Sequence, residues 1–563
     1  MTEDRNSFTT HEVFNQSQPL TGYNLYTSNI ALQEAVEREG AAWAQDGLTG
    51  WGEYLGRADV YEQAVLANKY EPVLKLFDRF GNRRDEVEFH PAWHAIMSAA
   101  VEQGIHSAPW ADAKPGAHVA RAAAAMLQTE IESGSQCPIT MTYGSVPTIS
   151  KRADIANIWL PKIFSRKYDK SFQPVTGKTG ALIGMGMTEK QGGSDVRTNT
   201  TQATATGSAT DPYTLVGHKW FFSAPMCDAF LVLAQAKSGL SCFFVPRWLP
   251  DGTLNSIRIQ RLKEKMGNRS NASSEVEFQN AQGFLIGEEG RGVPTIIDMA
   301  TYTRLDCALG STGLMRQAVA QALNHASYRA AFNKKLNEHG LMQNVLADLV
   351  LETEAAIALA MRTARAFDNQ KSEADNVFKR VVTPATKYWI CKRSPAVGVE
   401  AMEVMGGNGY VEEGVMARVY REMPLNSIWE GSGNVMCLDV LRAMDKTPDS
   451  LEVLRNEWVP AKSANVILDR YAAALEQDLA GAMKSFNERN ARRLTERLAL
   501  CISGSLLVQH APHAVSDAFC SSRLAGDWGH AFGTLNESAN LASIIERGMP
   551  VEHELHARAA VLS

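Results

Sequence analysis

The chain has no CxxC pair. Its eight cysteines, Cys137, Cys227, Cys242, Cys307, Cys391, Cys437, Cys501 and Cys520, are scattered over 563 residues. That scatter excludes a zinc ribbon or a redox motif and leaves the thiols as small hydrophobes of a reduced protein. Histidines at ligand spacing are missing too. In "HPAWH" His90 and His94 stand four apart, but Pro91 confines them to a first helical turn and no third ligand is near; in "EHELH" the two histidines are three apart. No metal is expected. No apolar run approaches the roughly 18 residues that span a bilayer. The start, "MTEDRNSF", is acidic and lacks the basic opening of a signal peptide. These absences predict a cytoplasmic protein with no membrane span. An excess of basic charge is lacking as well: the formal net charge is -6, so any nucleic-acid surface has to be a local patch.

What is present is an ordinary soluble composition, 45% hydrophobic and 21% charged. The length exceeds what one core serves, so two to four domains or layers are expected. After an N-terminal extension (1–35), apolar residues recur at three and four over 36–180, as in "HVARAAAAMLQTEIESG". Between 181 and 292 the texture changes to short β-branched and aromatic runs, "YTLVGHKWFFS", "AFLVLAQA" and "LSCFFVPRWL", parted by Gly, Asp, Asn and Pro. That spacing predicts an antiparallel sandwich or barrel. The helical period returns over 293–446, a bundle, and again over 447–563, a C-terminal extension. Helices, a β core, then more helices make an α+β layout.

Two glycine-rich stretches invite a dinucleotide reading. "IGMGMTEKQGG" lacks the third glycine of GxGxxG, and "MGGNGY" follows a helical pattern instead of a strand. A Rossmann fold fails on context for both, and each reads alone as a turn or helix cap. "IWEGSGNVM" sets one acid, Glu430, between an indole and small residues. Taken by itself, Glu430 is either a solvated turn acid or a base kept in an apolar cleft.

Taken in order, the motifs over roughly 150–445 resemble the acyl-CoA dehydrogenase flavoprotein family. "MTEKQGGSDV" and "GHKWFFSA" resemble its two β-domain signatures, and "KEKMGNRSNASSEVEF" and "GEEGRG" follow in place. "YRAAFNKKLNEH" is similar to the turn that meets the cofactor phosphates, "VMGGNGY" to the glycine turn after it, and "IWEGSGN" stands where the family carries its catalytic glutamate. The resemblance implies an acyl-CoA dehydrogenase-like fold: a helical domain, a central β-barrel or sandwich, a helical bundle, and here an extra helical domain.

The same resemblance implies FAD as cofactor and Glu430 as the base that removes the α-proton of a thioester. The cofactor positions it implies are Met187, Thr188, Gly193, Ser194, Phe222 and Ser223 from the β domain. To these it adds Arg329, Phe332, Glu403, Gly406, Gly407, Ile428, Gly431, Ser432 and Asn434. The chemistry asks for such groups independently. A thioester oxidation needs a partly desolvated carboxylate, hydroxyl donors at the flavin edge, and a guanidinium on the diphosphate. Departures from the family pattern are Lys190 and Gln191 in place of Pro and Gly, Gly340 in place of a glutamine, and Thr303 where some branched-chain relatives carry their base.

"VFNQSQPLTGYNLYTSN", "CPITMTYGSVP" and the long C-terminal extension resemble the AidB branch, linked to the adaptive response to DNA alkylation. That branch implies a homotetramer that binds double-stranded DNA, with weak dehydrogenation of short branched acyl-CoAs. From Leu451 on, eleven Lys and Arg stand against thirteen Asp and Glu, so the extension is not basic overall. Its arginines cluster instead. Arg489, Arg492, Arg493 and Arg497 lie in one stretch, and Arg442 and Arg523 are isolated basic positions; these six are the DNA-binding candidates. Pairing with Glu488 and Glu496 is the competing reading. Two further functional readings stay open: a genuine branched short-chain acyl-CoA dehydrogenase of the isovaleryl-CoA type, and a flavin-stabilised DNA-binding protein without turnover.

Overall fold

A computed structural model describes residues 10–208, 211–485 and 487–550; "EHELH" lies outside them. The chain begins with helices α1 (Ile30–Arg38), α2 (Gln45–Gly56) and α3 (Ala58–Lys69). A hairpin follows, β1 (Val73–Phe77) and β2 (Arg83–Glu88), in a region where the periodicity predicts mostly helix. Here "VLKLF" alternates with period two and Gly81, at φ +83°, supplies the turn, so local pattern overrides the helical surroundings. Helices α4 (Pro91–Gln103), α5 (Ala117–Ile131), α6 (Gln136–Ile149) and α7 (Ala153–Ile163) complete this part.

Seven strands form the β domain: β3 (Ile183–Thr188), β4 (Gln202–Ala205), β5 (Tyr213–Ser223), β6 (Ala229–Ala236), β7 (Gly239–Pro246), β8 (Ile257–Leu262) and β9 (Ser273–Ile286). Their order is β3-β5-β4-β6-β7-β9-β8, with β3 also paired to β6 and β5 to β9, which curls the sheet back on itself. The sheet is not purely antiparallel. β3 runs parallel to β6 from Ile183↔Ala229 to Gly186↔Val232, and β4 touches β6 in the same sense. A parallel pair needs a long crossover, which β4 and β5 provide here.

The bundle is built on α8 (Gly292–Tyr328), 37 residues long and buried on every side for most of its length. Around it stand α9 (Gly340–Arg365), α10 (Glu373–Val404), α11 (Met416–Glu422) and α12 (Gly433–Asp445). The extension adds α13 (Val466–Lys484), α14 (Ala491–His510), α15 (His513–Phe519) and α16 (Leu541–Gly548). One hydrophobic cluster runs from Leu32 on α1 through the bundle to Ile544 on α16, and a second fills the β domain. The extension is therefore packed into the bundle core and is not a separate arm.

A buried charge cluster locks it there. Arg523 is 7% exposed. It donates to Asp348 and, at 3.0 Å, to Glu352 on α9. Arg393 on α10 donates to the same Glu352 at 2.9 Å, and Trp528 Nε1 and the Gly533 amide reach Asp348 at 3.2 and 2.9 Å. This corrects the reading of Arg523 as a DNA contact: its guanidinium is spent on two carboxylates inside the protein. Breaking a buried pair leaves an uncompensated charge. Arg523→Ala should therefore cost roughly 3–5 kcal/mol, read in urea unfolding, and expose the extension to proteolysis.

Candidate functional site

β3 and β5 bring the β-domain positions together. The register sets Thr188 opposite Phe221 and Met185 opposite Ser223. Gly193 packs so close on Thr188 that a Cβ there would overlap its side chain. Behind this turn lies Glu189, fully buried against Lys219 at 2.8 Å. Burial pushes the Glu189 carboxyl up, but Lys219 and the Thr200 and Thr201 donors outweigh it and hold the group well below the usual carboxylate range. The same burial lowers Lys219, to about 8, against the pull of Glu189. The pair fixes the turn that presents Thr188 and Ser194.

One position needs correction. Phe222 is fully buried, its ring 4.5 Å from that of Phe230 in the β core. Side chains alternate along a strand, so Phe221 and Ser223 share the other face and Phe222 offers a cofactor only its backbone. Phe221, 50% exposed, is the aromatic that faces outward.

Glu430 sits on the loop entering α12 in a left-handed conformation, φ +56°, with Gly431 at +99°. A non-glycine residue held there stores strain that the surroundings must impose. Lys387 on α10 imposes it. Only 1% exposed, it donates from Nζ to the carbonyls on either side, Trp429 at 2.8 Å and Gly431 at 2.6 Å. Arg304 Nε donates to the carbonyl of Glu430 at 3.1 Å and its Nη1 to Asp439 at 2.7 Å, which ties α8 to α12. Trp429 Nε1 donates to Asn426 Oδ1 at 2.8 Å.

The carboxylate itself accepts from Thr303 Oγ1 at 2.6 Å. Burial raises the Glu430 pKa against the opposing effects of Thr303, Lys387 and Arg304. Cys137, at the start of α6, is pushed up to about 12 by burial; it is held by Asn271 and Ser223 and feels the charge of Glu430. A strained, desolvated carboxylate held in this way has the makings of a general base.

The remaining cofactor positions fall into two groups. Ile428, Gly431, Ser432 and Asn434 lie on the Glu430 loop or the first turn of α12, with Ile428 64% exposed. Arg329 follows the last turn of α8, and Phe332 lies just beyond it. The N-terminal segment straps this end: Asn15 grips Ala330 with both side-chain ends, at 2.8 and 2.7 Å, and its carbonyl accepts from Arg329 at 2.7 Å. Gln16 reaches Asn408 of the glycine turn at 3.4 Å, beside Gly406, Gly407 and Glu403. Thr303 and Arg329 are separated by 26 positions of helix, about 39 Å at 1.5 Å per residue. One chain does not bring both groups to one place.

The DNA candidates also divide. Arg442, Arg489 and Arg493 are exposed. Arg497 pairs with Asp478 and stacks 5.1 Å from Tyr471; neither Glu488 nor Glu496 pairs with an arginine among the described residues. Arg492 bonds to Asn434 at 2.8 Å. Missed from sequence were Lys387, Phe221, Cys137 and Asn15. Strand alternation alone could have found Phe221; the others are defined by distant contacts.

Three family models match: the adaptive response protein AidB N-terminal domain over residues 15–170, the acyl-CoA dehydrogenase middle domain over 184–281 and its C-terminal domain over 290–444. The AidB protein of Escherichia coli (strain K12) is 48% identical over 517 residues, 92% of this chain and 94% of its own. The chain belongs to the acyl-CoA dehydrogenase family, in its AidB branch. Acyl-CoA dehydrogenase family member 11 of Caenorhabditis elegans is 28% identical, over 83% of this chain and 79% of its own. The crystal structure of Caenorhabditis elegans ACDH-11 in complex with C11-CoA superposes with TM-score 0.82 at 24% identity, covering 100% of this chain and 98% of that one. An acyl-CoA dehydrogenase complexed with FAD from Bacillus anthracis shares the fold at TM-score 0.65 and 17% identity, over 82% and 87%. Among the described residues no helix is long and apolar enough to cross a membrane.

A carboxyl whose folded pKa lies above its unfolded value destabilises the fold once pH rises past the unfolded pKa. Glutamine carries no such cost. Glu430→Gln should raise the melting temperature at about pH 7.5 and leave it unchanged near about pH 3.5, where both states hold the proton. Equal shifts at both pH values would mean that the acid is not desolvated.

Proposed function

We propose that this protein binds FAD, that Glu430 removes the α-proton of a small acyl thioester beside it, and that the chain binds double-stranded DNA in the response to DNA alkylation, protecting or detoxifying it. The observation that carries the reading is the Glu430 loop: a left-handed acid, clamped by Lys387 and bonded to Thr303, with its neighbour Trp429 packed against the core of the β domain.

The residues present suit FAD. The hydroxyls of Thr188, Ser194 and Ser432 have no partner among the described residues, and Phe221 and Ile428 expose apolar surface near them. Thr188, Ser194 and Ser223 would hold the ring edge; Ser432 and Asn434 would hold the distal half. Bound there, FAD supplies a two-electron acceptor for the β-hydride. Glu430 supplies the base: its carboxylate takes the α-proton, Thr303 keeps one oxygen oriented, and burial brings its pKa toward working pH. Trp429 walls the base from water.

The assembly in this reading is a cytoplasmic homotetramer. The separation of the Arg329 turn from the Glu430 loop supports a cofactor shared between copies, as do the apolar side chains exposed near that turn: Phe332 at 92%, Leu341 at 88% and Tyr410 at 80%. For DNA, the reading rests on Arg442, Arg489 and Arg493, exposed on a chain of net charge -6. Repetition in an oligomer adds avidity to a modest patch.

The purified protein should be yellow, and added FAD should raise its melting temperature by mass action. Glu430→Gln should keep the flavin spectrum and slow anaerobic bleaching by isovaleryl-CoA about a hundredfold or more. Bleaching at the wild-type rate would remove Glu430 as the base.

Changing Arg442, Arg489 and Arg493 together to Gln should weaken duplex binding for every sequence alike. It should also flatten the salt dependence by roughly 0.9 per lost phosphate contact. Anisotropy titrations at several salt concentrations test this, and undiminished binding would move DNA to another face.

A further inference from the structure

Arg492 falls by sequence among the DNA candidates, yet the fold sets it against the Glu430 loop. Its Nε donates to Asn434 Oδ1 at 2.8 Å, in the first turn of α12. Its guanidinium lies 5.9 Å from the ring centroid of Tyr388 on α10. Lys392, one turn further along α10, lays its side chain against Gly433: a Cβ there would meet Lys392 Cε at 3.1 Å.

Both cations are exposed, and neither has a carboxylate partner among the described residues. Two like charges converging on one loop repel each other, and an anion between them turns that repulsion into attraction. The geometry suits a phosphate in particular. With Nε committed to Asn434, the two terminal nitrogens of Arg492 remain free for a bidentate bond to phosphate oxygens, and Lys392 adds a point charge.

We infer that Arg492 and Lys392 form a phosphate-binding corner of the dinucleotide site, so that the C-terminal extension contributes a cofactor ligand. The inference rests on the reading that the Glu430 loop faces FAD. Under it, the stretch Arg489 to Arg497 serves two ends: Arg492 turns to the cofactor, while Arg489 and Arg493 stay on the surface.

The test is a fluorescence titration of flavin-stripped full-length protein with FAD and with riboflavin, which has no phosphate, beside a duplex DNA titration. Arg492→Ala should weaken FAD binding by about tenfold or more, the loss of a charge-assisted hydrogen bond. It should leave riboflavin binding unchanged, and Arg492→Lys should recover part of the loss. Arg489→Ala and Arg493→Ala should leave FAD binding as in wild type.

FAD binding unaltered in Arg492→Ala, with DNA binding alone reduced, would overturn the inference and return the residue to the DNA surface. Loss of riboflavin together with FAD would overturn it too, as a general collapse of the site. Wild type that takes up no FAD would instead sink the reading beneath it.

Discussion

The burial of α8 is the constraint on which the rest depends. A helix of 37 residues enclosed for most of its length must satisfy neighbours all round: α5 and α6 on one side, α9 and α10 on another, and the β domain near its start. Such a helix cannot be amphipathic, and it solves close approach with small residues, Gly310, Ser311, Thr312 and Gly313 in succession. Its rigidity also fixes distances. Thr303, which orients the acid, and Arg329, just past the far end, are held a helix length apart, so in the proposed reading cofactor geometry and assembly geometry become one problem.

Inside this frame several buried charges are matched in closed sets. Glu189 with Lys219 and Arg523 with Asp348 and Glu352 are closed sets that hold turns and helices in place. Lys387 differs. It spends its donors on two carbonyls and leaves its charge to act on Glu430 through space. A lysine used in this way sets the backbone and tunes the acid with the same atom.

The α+β class and the order of its layers were legible in the sequence because period 3.6 and period 2 segregate cleanly along the chain. The β1–β2 hairpin was not, since five alternating residues inside helical surroundings carry little signal. Glu430 was legible from its odd setting between an indole and glycines. Lys387 was invisible, because a lysine in "ATKYWICK" reads as surface until the loop folded on it is known. Phe222 and Arg523 misled for opposite reasons. Phe222 looked like part of a motif whose side chains matter when only its neighbours face outward. Arg523 looked unpaired because its carboxylates lie some 170 positions earlier in the chain.

The strap at the N-terminus carries a temporal consequence. Asn15 grips Ala330, 315 positions later, and Ser17 and Gln18 seat on His325 and Asn324 at the same end of α8. On the ribosome these early residues have nothing to bind until that turn has emerged. At about 5–20 residues per second, the wait is on the order of 15 to 60 seconds. The segment thus settles only after the far end of α8 has been made, and its docking reports that this turn is in place.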